Sequence, residues 1–555
     1  MSQPASAYAR QVLPWLGRAL ALMDRDPGSP THGCCDRNYW HYRTLTNFAG
    51  STWQQLMLPL ALLWATPRAD NPLAGDPALL AAASAALGFW AGMGHADGSY
   101  DEWYRNEHSY CPTAFTAAGA GLTLLTLGEA LTPAARQKAQ VALERAGAWL
   151  FLRSNPAVMN QNLAAALAFA ALASLTGRED WRAAGRERLA LAAKHQHAEG
   201  WFSEYGGADL GYSTLALDLL AGCDRLDPAG PAATMARPLL AFLANLSGPG
   251  PWLPGRLGSR GTAHAFAAGV EHFAAADACA AALAGLWRAG HAQGRLAGPG
   301  QVDDRYFAYF YLPQFALAWA WAAPEVPAAA LAQPAASDLA GCGFSLHRTE
   351  QGGLFMSRRQ GGALAWLAPG APPLYDLGWQ ALAKGQGVFQ SNLWQNAALP
   401  AFGDLSAAAE LARASRGQAI AGVRQAPFAL FTSLLAASWP AEIFQAAIKR
   451  RLIQPAARLG LSLTRRAELA GGQLVISDRL QRREGCPALV SLGPALAIAM
   501  HSPSARQEPG ATLDWGAWSP EQAAEALNHT GSLELRRVYD LATGGPRLVT
   551  AAPAS

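Results

Sequence analysis

Apolar residues recur at helical spacing from the start of the chain to about residue 325. The segments 53–65, 77–93, 113–131, 134–152, 160–175, 181–194, 213–223, 234–246, 269–286 and 306–322 are rich in Ala and Leu. Each runs about 10–20 residues, the usual helix length. Pro or Gly punctuates most of their ends, which predicts helix stops there. Strand alternation is essentially absent in this half.

Polar, aromatic links separate these segments: DRNYWHY (36–42), ADGSYDEWYRNEHSY (96–110), EGWFSEYGGADLGY (199–212), GRLGSRGTAHAF (255–266) and DDRYF (303–307). They recur at roughly every other helix. Paired helices stacked about an axis would gather such loops at one rim, so the pattern predicts an N-terminal α/α toroid or incomplete barrel. A plain α-solenoid would give the same spacing, but no strict repeat period is visible. Function concentrates in loops of this kind. The stretch 323–336 (APEVPAAALAQPAA) reads as a linker. Beyond it come short, turn-bounded and partly alternating runs such as GGLFMSRR, GALAWLA, LGLSLTRRAEL and GQLVISDRLQRR. These predict an antiparallel β-sandwich over 326–555, after a toroid over 1–325. Residues 407–424 look less regular and are expected to form a loop or helix across the sheet.

Composition narrows this picture. A chain of 555 residues is too long for one ordinary core. A hydrophobic share of 51% excludes a largely disordered chain. The net charge of +3 comes from dispersed Lys and Arg, so no basic run marks a nucleic-acid or membrane surface. No apolar run of about 20 residues is evident, and 79–93 is too short to span a bilayer. The start of the chain lacks the pattern of a secretory signal, which favours the cytoplasm, or the periplasm if the true N-terminus lies upstream. Cys34, Cys35, Cys111, Cys223, Cys279, Cys342 and Cys486 are odd in number and irregular in spacing. Buried free thiols are therefore expected, without a zinc-type CxxC pair. The 19 Trp residues supply core bulk and flat faces for sugar rings.

The order of four motifs carries a resemblance: residues 97–110, Asn160–Gln161, residues 199–212, and GSR-T followed by an aromatic residue and Glu within 258–271. In this order they resemble the heparinase II/III-like (alginate-lyase-like) superfamily, in a branch associated with bacterial polysaccharide proteins. The likeness spans most of the chain and is only textural in the β half. It implies a toroid followed by a β-sandwich. It also implies a lyase that removes the C5 proton of a uronic acid and expels the 4-linked sugar, acting on an acidic polysaccharide or oligosaccharide without a cofactor. Some members carry a structural zinc in the β domain; no such site can be located in this sequence.

That chemistry needs the uronate carboxylate neutralised, a base at C5, and an acid at the leaving oxygen. The resemblance places Asn160 against the carboxylate, although Gln161 follows it where a His is usual. Helix capping is the competing reading for Asn160. By the same resemblance Tyr212, with Tyr205 in the same loop, is the acid or base. Arg260 offers a fork suited to carboxylates, and His264 titrates near working pH. Candidate sugar contacts are Tyr39, Trp40, His41, Trp103, Asn106, His108, Tyr110, Gln161, Glu204, Asp209 and Glu271. The histidines form no tight ligand set, so no catalytic metal is expected. An epimerase would share the C5 step. Two other readings stay open: an α/α-barrel glycoside hydrolase using two of Asp101, Glu102, Glu204 and Asp209, and a non-catalytic carbohydrate-binding protein of polysaccharide biosynthesis.

Overall fold

The computed structural model describes residues 6–41, 46–394, 405–413, 427, 430–432, 443–444, 457–495, 511–541 and 546–553. Its first part is helical: α1 (Ser6–Val12), α2 (Leu16–Leu22), α3 (Arg37–Trp40), α4 (Met57–Ala65), α5 (Pro77–Met93), α6 (Tyr110–Leu127), α7 (Pro133–Phe151), α8 (Met159–Thr176), α9 (Glu179–Lys194), α10 (Leu210–Leu226), α11 (Ala232–Leu246), α12 (Ala268–Phe273), α13 (Ala278–Ala292), α14 (Asp304–Tyr306) and α15 (Leu312–Trp321). Helices α4, α6, α8, α10, α12 and α15 each pack on the next, and α15 returns to α4, so this inner ring closes. Helices α5, α7, α9, α11 and α13, with α1, pack outside it. Helix α8 is buried continuously from Met159 to Ala173, as expected of a helix apolar on all sides. The helix through Tyr110–Ala130 is long and apolar enough to cross a bilayer by length and composition. The sequence reading passed over this stretch, but 72% of its 18-residue apolar window is buried inside the protein, as in the core helix of a toroid.

Local chemistry sets the helix ends. Asp76, Thr132, Asp209 and Asp277 accept hydrogen bonds from amides of the first turns they precede. Pro77 and Pro133 occupy first positions where a missing N–H costs nothing. Two expected helices are interrupted. The run 269–286 divides into α12 and α13, because Asp277 caps a new helix through Ala280 N (3.0 Å). The run 306–322 widens into a π-helical turn at Phe307–Tyr311. Pro313 lacks an N–H and its ring would clash with the carbonyl four residues back. The wider turn accommodates it.

The second part holds fourteen strands among the described residues: β1 (Ala336–Leu339), β2 (Phe344–Arg348), β3 (Gly353–Ser357), β4 (Ala363–Leu367), β5 (Leu374–Asp376), β6 (Trp379–Ala383), β7 (Gly387–Gln390), β8 (Ser406–Arg413), β9 (Ala457–Ala470), β10 (Gln473–Arg482), β11 (Leu489–Pro494), β12 (Ala511–Thr512), β13 (Ser532–Asp540) and β14 (Arg547–Pro553), with helix α16 (Pro520–Thr530) before β13. One sheet runs β1-β2-β3-β4-β5-β12 and the other β11-β6-β7-β8-β9-β10-β13-β14. Pairing is antiparallel except between β12 and β5, which run parallel. The loop or helix expected at 407–424 is instead strand β8 as far as Arg413, and residues 414–424 lie outside the described set. Its alanines hide the alternation, since Ala faces both core and solvent.

The layers stack in order. Leu354, Met356, Leu364 and Trp366 of the first sheet pack on Ala467, Leu474, Ile476 and Tyr539 of the second, which makes a sandwich. The intervening Phe355, Ala363, Ala365 and Leu367 face the helical core. Strands β3 and β4 are thus buried on both faces, which removes alternation from their sequence. Helix α16 covers the far face of the second sheet through Ala523, Ala524 and Leu527. Between the two sheets Asp376 and Asp478 meet Arg465 and Arg537 in a fully buried ionic quartet with contacts of 2.6–2.9 Å. None of the seven cysteines is paired.

Candidate active site where the toroid meets the sheets

The loops that precede α8, α10 and α12 are tied together at one end of the ring. Short bridges join Val158 to Glu204, Gln196 to Phe202, and Asp209 to Gly258. The β domain clamps the same loops. The Glu199 carboxylate accepts from the amides of Gly341 (2.7 Å) and Cys342 (3.1 Å), and Gln360 Oε1 accepts from Gly258 N (2.8 Å). A Cβ at Gly207 would lie 2.3 Å from the indole of Trp394, so only glycine allows that approach.

Asp209 organises this corner. Beyond capping α10 through Tyr212 N (3.0 Å), it accepts from Arg260 N (3.0 Å), Thr262 N (3.3 Å) and the Thr262 hydroxyl. Both its oxygens are committed to the backbone turn that carries Arg260 and to the helix that carries Tyr212. The Arg260 guanidinium lies 4.5 Å from the ring centre of Tyr205 and 5.7 Å from that of Tyr212. It is half-buried, and among the described residues no carboxylate is hydrogen-bonded to it. Tyr306, from α14, hydrogen-bonds to Tyr212. Burial first, then Tyr306, hold the Tyr212 phenol well above its usual pKa, while Arg260 pulls it down.

Glu204 closes the other side. It is 3% exposed. Its Oε1 accepts from Asn160 N at 3.3 Å, and its buried Oε2 has no partner. Burial pushes its carboxyl up to about 8, against the pull of Arg260 and the Asn160 amide. Asn160 is the second residue of α8, while Val158 is the N-cap and supplies no side-chain cap. The Asn160 side chain is therefore not the cap of this helix. Its neighbour Gln161 is held by Asn155 Nδ2 (2.8 Å).

His264 joins the cluster from behind Tyr212, with ring centres 5.7 Å apart. Its Nδ1 is 2.9 Å from the Tyr311 hydroxyl, and its buried Nε2 has no partner. Burial lowers its pKa to about 3, so the ring is neutral at physiological pH and cannot supply the positive charge of an imidazolium.

The loop over 97–110 is largely absorbed in holding itself. Asp101 accepts from the amides of Asn106, Glu107 and His108 and contacts His95 at 2.8 Å. His108 contacts Ser99 (2.6 Å) and Asp97 (3.2 Å) and stacks on His95. Glu102 pairs with Arg305, whose guanidinium lies 3.6 Å from the ring centre of Trp103. Trp103 is 60% exposed and offers an open aromatic face. Asn106 donates to Thr432 O (3.1 Å). Asn106, His108 and Tyr205 are the non-glycine residues with positive φ (60°, 48° and 56°) among the described residues. Each costs of the order of 1–3 kcal/mol, a strain found most often at functional sites.

Other candidates lie in separate networks. Tyr110 is hydrogen-bonded to Arg188 (2.6 Å) and Asn162 (3.1 Å) beneath the ring. Glu271 is enclosed by Tyr8 (2.5 Å) and Arg288 (2.5 and 2.8 Å) in the helical core. Tyr39 and Trp40 are half-buried on α3 and His41 is exposed just beyond it; the Trp40 indole donates to Leu22 O (2.8 Å). Sequence reasoning passed over Arg305, Tyr306, Tyr311 and Trp394. The link 303–307 signalled the first two, whereas nothing near Trp394 in the sequence pointed to a contact with Gly207. Among the described residues no group of three or more His, Cys, Asp or Glu is placed to hold a metal ion.

No protein-family model matches the chain, and no curated protein matches it by sequence. Among solved structures it resembles the chondroitin AC lyase of Streptomyces coelicolor A3 in complex with chondroitin sulphate, with a TM-score of 0.49 and 13% identity over 88% of this chain and 71% of that one. A tyrosine-to-alanine mutant of the same enzyme gives 0.44 with the same identity and coverage. These structures are chondroitin AC lyases, not heparinase II/III enzymes, and at this distance they carry no residue assignments.

Proposed function

We propose that the chain is a polysaccharide lyase-like enzyme that acts on uronic-acid-containing glycans by C5 proton abstraction and β-elimination. The observation that carries this reading is the Arg260 guanidinium, which has no bonded carboxylate and lies beside the Tyr212 ring. A half-buried guanidinium with no carboxylate hydrogen-bonded to it has donors to offer an anionic ligand. Placed against it, a uronate carboxylate would be neutralised and its C5–H acidified. The C5–H electrons form the C4=C5 double bond as the C4–O bond breaks. Tyr212, a neutral phenol in the free site, takes the C5 proton after its own proton has passed to solvent, a loss that Arg260 favours, and then gives a proton to the departing oxygen. Asn160 and Glu204 border the carboxylate position. His264 and Tyr311 buttress the far side of Tyr212. Trp103 offers a stacking face for a neighbouring sugar.

Hydrolysis by two carboxylates fits less well. Asp101 and Asp209 are saturated by backbone amides and Glu102 is paired with Arg305, which leaves Glu204 alone with a free oxygen. The test is incubation of the purified protein with hyaluronan, chondroitin, alginate and pectate oligosaccharides, read by ultraviolet absorbance and product mass. A conjugated uronate supports elimination. Products that have gained water, without that absorbance, overturn it.

A further inference from the structure

We propose that the end of the helical ring remote from Tyr212 holds a second binding site, a cavity that takes a small apolar acid with its body among leucines and its anionic group on Arg225. The inference is independent of the uronate reading. The cavity opens to solvent between α4, α6, α10 and α15, inner helices of the ring. Its volume is about 170 Å³, and Leu58, Leu122, Leu125, Leu317 and Trp321 line it. A cavity of about 150 Å³ with such walls accepts a benzene-sized guest. Tyr212 and Arg225 stand near opposite ends of α10. At about 1.5 Å per residue they are roughly 20 Å apart, so this cavity is separate from the candidate active site.

The chemistry at the mouth selects the guest. The Arg225 guanidinium lies 4.8 Å from the ring centre of Trp321. Among the described residues no carboxylate is paired with it. The adjacent Asp224 is turned to His272, which it meets at 2.8 Å. The apolar walls strip water from Arg225 and lower its pKa, yet a guanidinium keeps its charge. An anion at the mouth relieves that cost. The carbonyl ends of the helices oppose an anion, but Arg68 already occupies those of Trp319 (2.7 Å) and Ala322 (3.0 Å) at the end of α15. The Thr126 hydroxyl gives its proton to Leu122 O (2.7 Å), so Arg225 supplies the charge of the lining. A neutral guest of the same size would leave that charge unanswered, and a cationic one would be repelled.

Fluorine NMR titration of the full chain with para-fluorophenylacetate, and with the neutral para-fluorophenylethanol, tests this. The acid should bind with a Kd below about 1 mM, and at least about fivefold more tightly than the alcohol. Arg225→Gln changes an exposed side chain and should fold as wild type. It should weaken the acid at least about fivefold and the alcohol less than about twofold. Leu125→Trp, which fills the cavity from a half-buried position, should abolish binding of both. Crystals soaked in para-bromophenylacetate locate the guest without any variant, and the bromine is expected beside Leu317. No binding of the acid by wild type overturns the proposal. So does equal affinity for acid and alcohol, unchanged acid binding by Arg225→Gln, or a bromine found only elsewhere.

Discussion

The guanidinium of Arg260 lies 4.5 Å from the ring centre of Tyr205, and Tyr205 reaches that place through a left-handed backbone (φ 56°). A bulky residue adopts this conformation only where its surroundings hold it there. The contact therefore comes at a cost in stability, which separates two substitutions. Tyr205→Gly should raise stability by about 1 kcal/mol or leave it unchanged, since glycine accepts positive φ, while weakening uronate binding. Tyr205→Phe should retain both properties, because the ring face makes the contact. Chemical denaturation and ligand titration of the pair check this. Equal loss of binding in both variants would place the contribution on the hydroxyl.

Removal of the Tyr212 hydroxyl should abolish turnover without unfolding the protein. Tyr212→Phe is expected to lower kcat by about 10²–10⁴-fold, the usual contribution of a positioned acid or base. KM should change little, and the circular dichroism spectrum should match wild type. A variant with near-normal kcat would exclude Tyr212 as the proton-transfer group.

Two buried groups give opposite pH signatures in stability. His264 has a folded pKa of about 3 against an ordinary 6.5. Its stabilising contribution is complete above about 6.5 and is lost as pH falls towards 3, because only the unfolded chain takes the proton in that window. Glu204 is raised from 4.5 to about 8. Its contribution is complete below 4.5 and is lost as pH rises through 8. Thermal denaturation across pH 4–9 should therefore show His264→Gln flattening the acid limb and Glu204→Gln the alkaline limb. Parallel curves for wild type and both variants would contradict these assignments.

The ionic quartet between the sheets predicts a strong asymmetry. Arg465→Ala leaves Asp376 and Asp478 without one of their two cations in a fully buried place. A loss of about 3–5 kcal/mol is expected. The double variant Arg465→Met, Asp478→Leu should lose less than the sum of its single changes, since the residual charge is removed in pairs. The Trp379 indole, 3.0 Å from Asp478 Oδ2, is placed to report the change by fluorescence during denaturant titration. Additive losses would mean that the four groups are not coupled.

Much of the architecture was legible in the chain. Apolar periodicity, with Pro, Asp and Thr at the starts of helices, marked most helices of the ring to within a few residues. The Pro/Ala stretch 323–336 lies where α15 has ended and β1 is beginning. These features are local, set by residues a turn or two apart. The same holds for the polar links, whose composition drew attention to Tyr205, Tyr212, Arg260 and His264 before their positions were known.

Tertiary structure decided what each of those side chains can do. Asp209 has the chemistry of a catalytic carboxylate, yet its oxygens are also taken by Arg260 N and Thr262, 51 and 53 residues away, while Asp101 is filled by amides of its own loop. Glu271 follows the GSR-T motif closely in sequence, but its partner Tyr8 is 263 residues away and holds it in the core. His264 reads as a titrating group and is rendered neutral by burial. Glu204 reads as a sugar contact or a hydrolytic carboxylate, and burial pushes its carboxyl up to about 8. Sequence specifies which chemical groups are present and how the backbone repeats. Burial, hydrogen-bond partners and nearby charge, which set pKa and availability, come from segments distant in the chain.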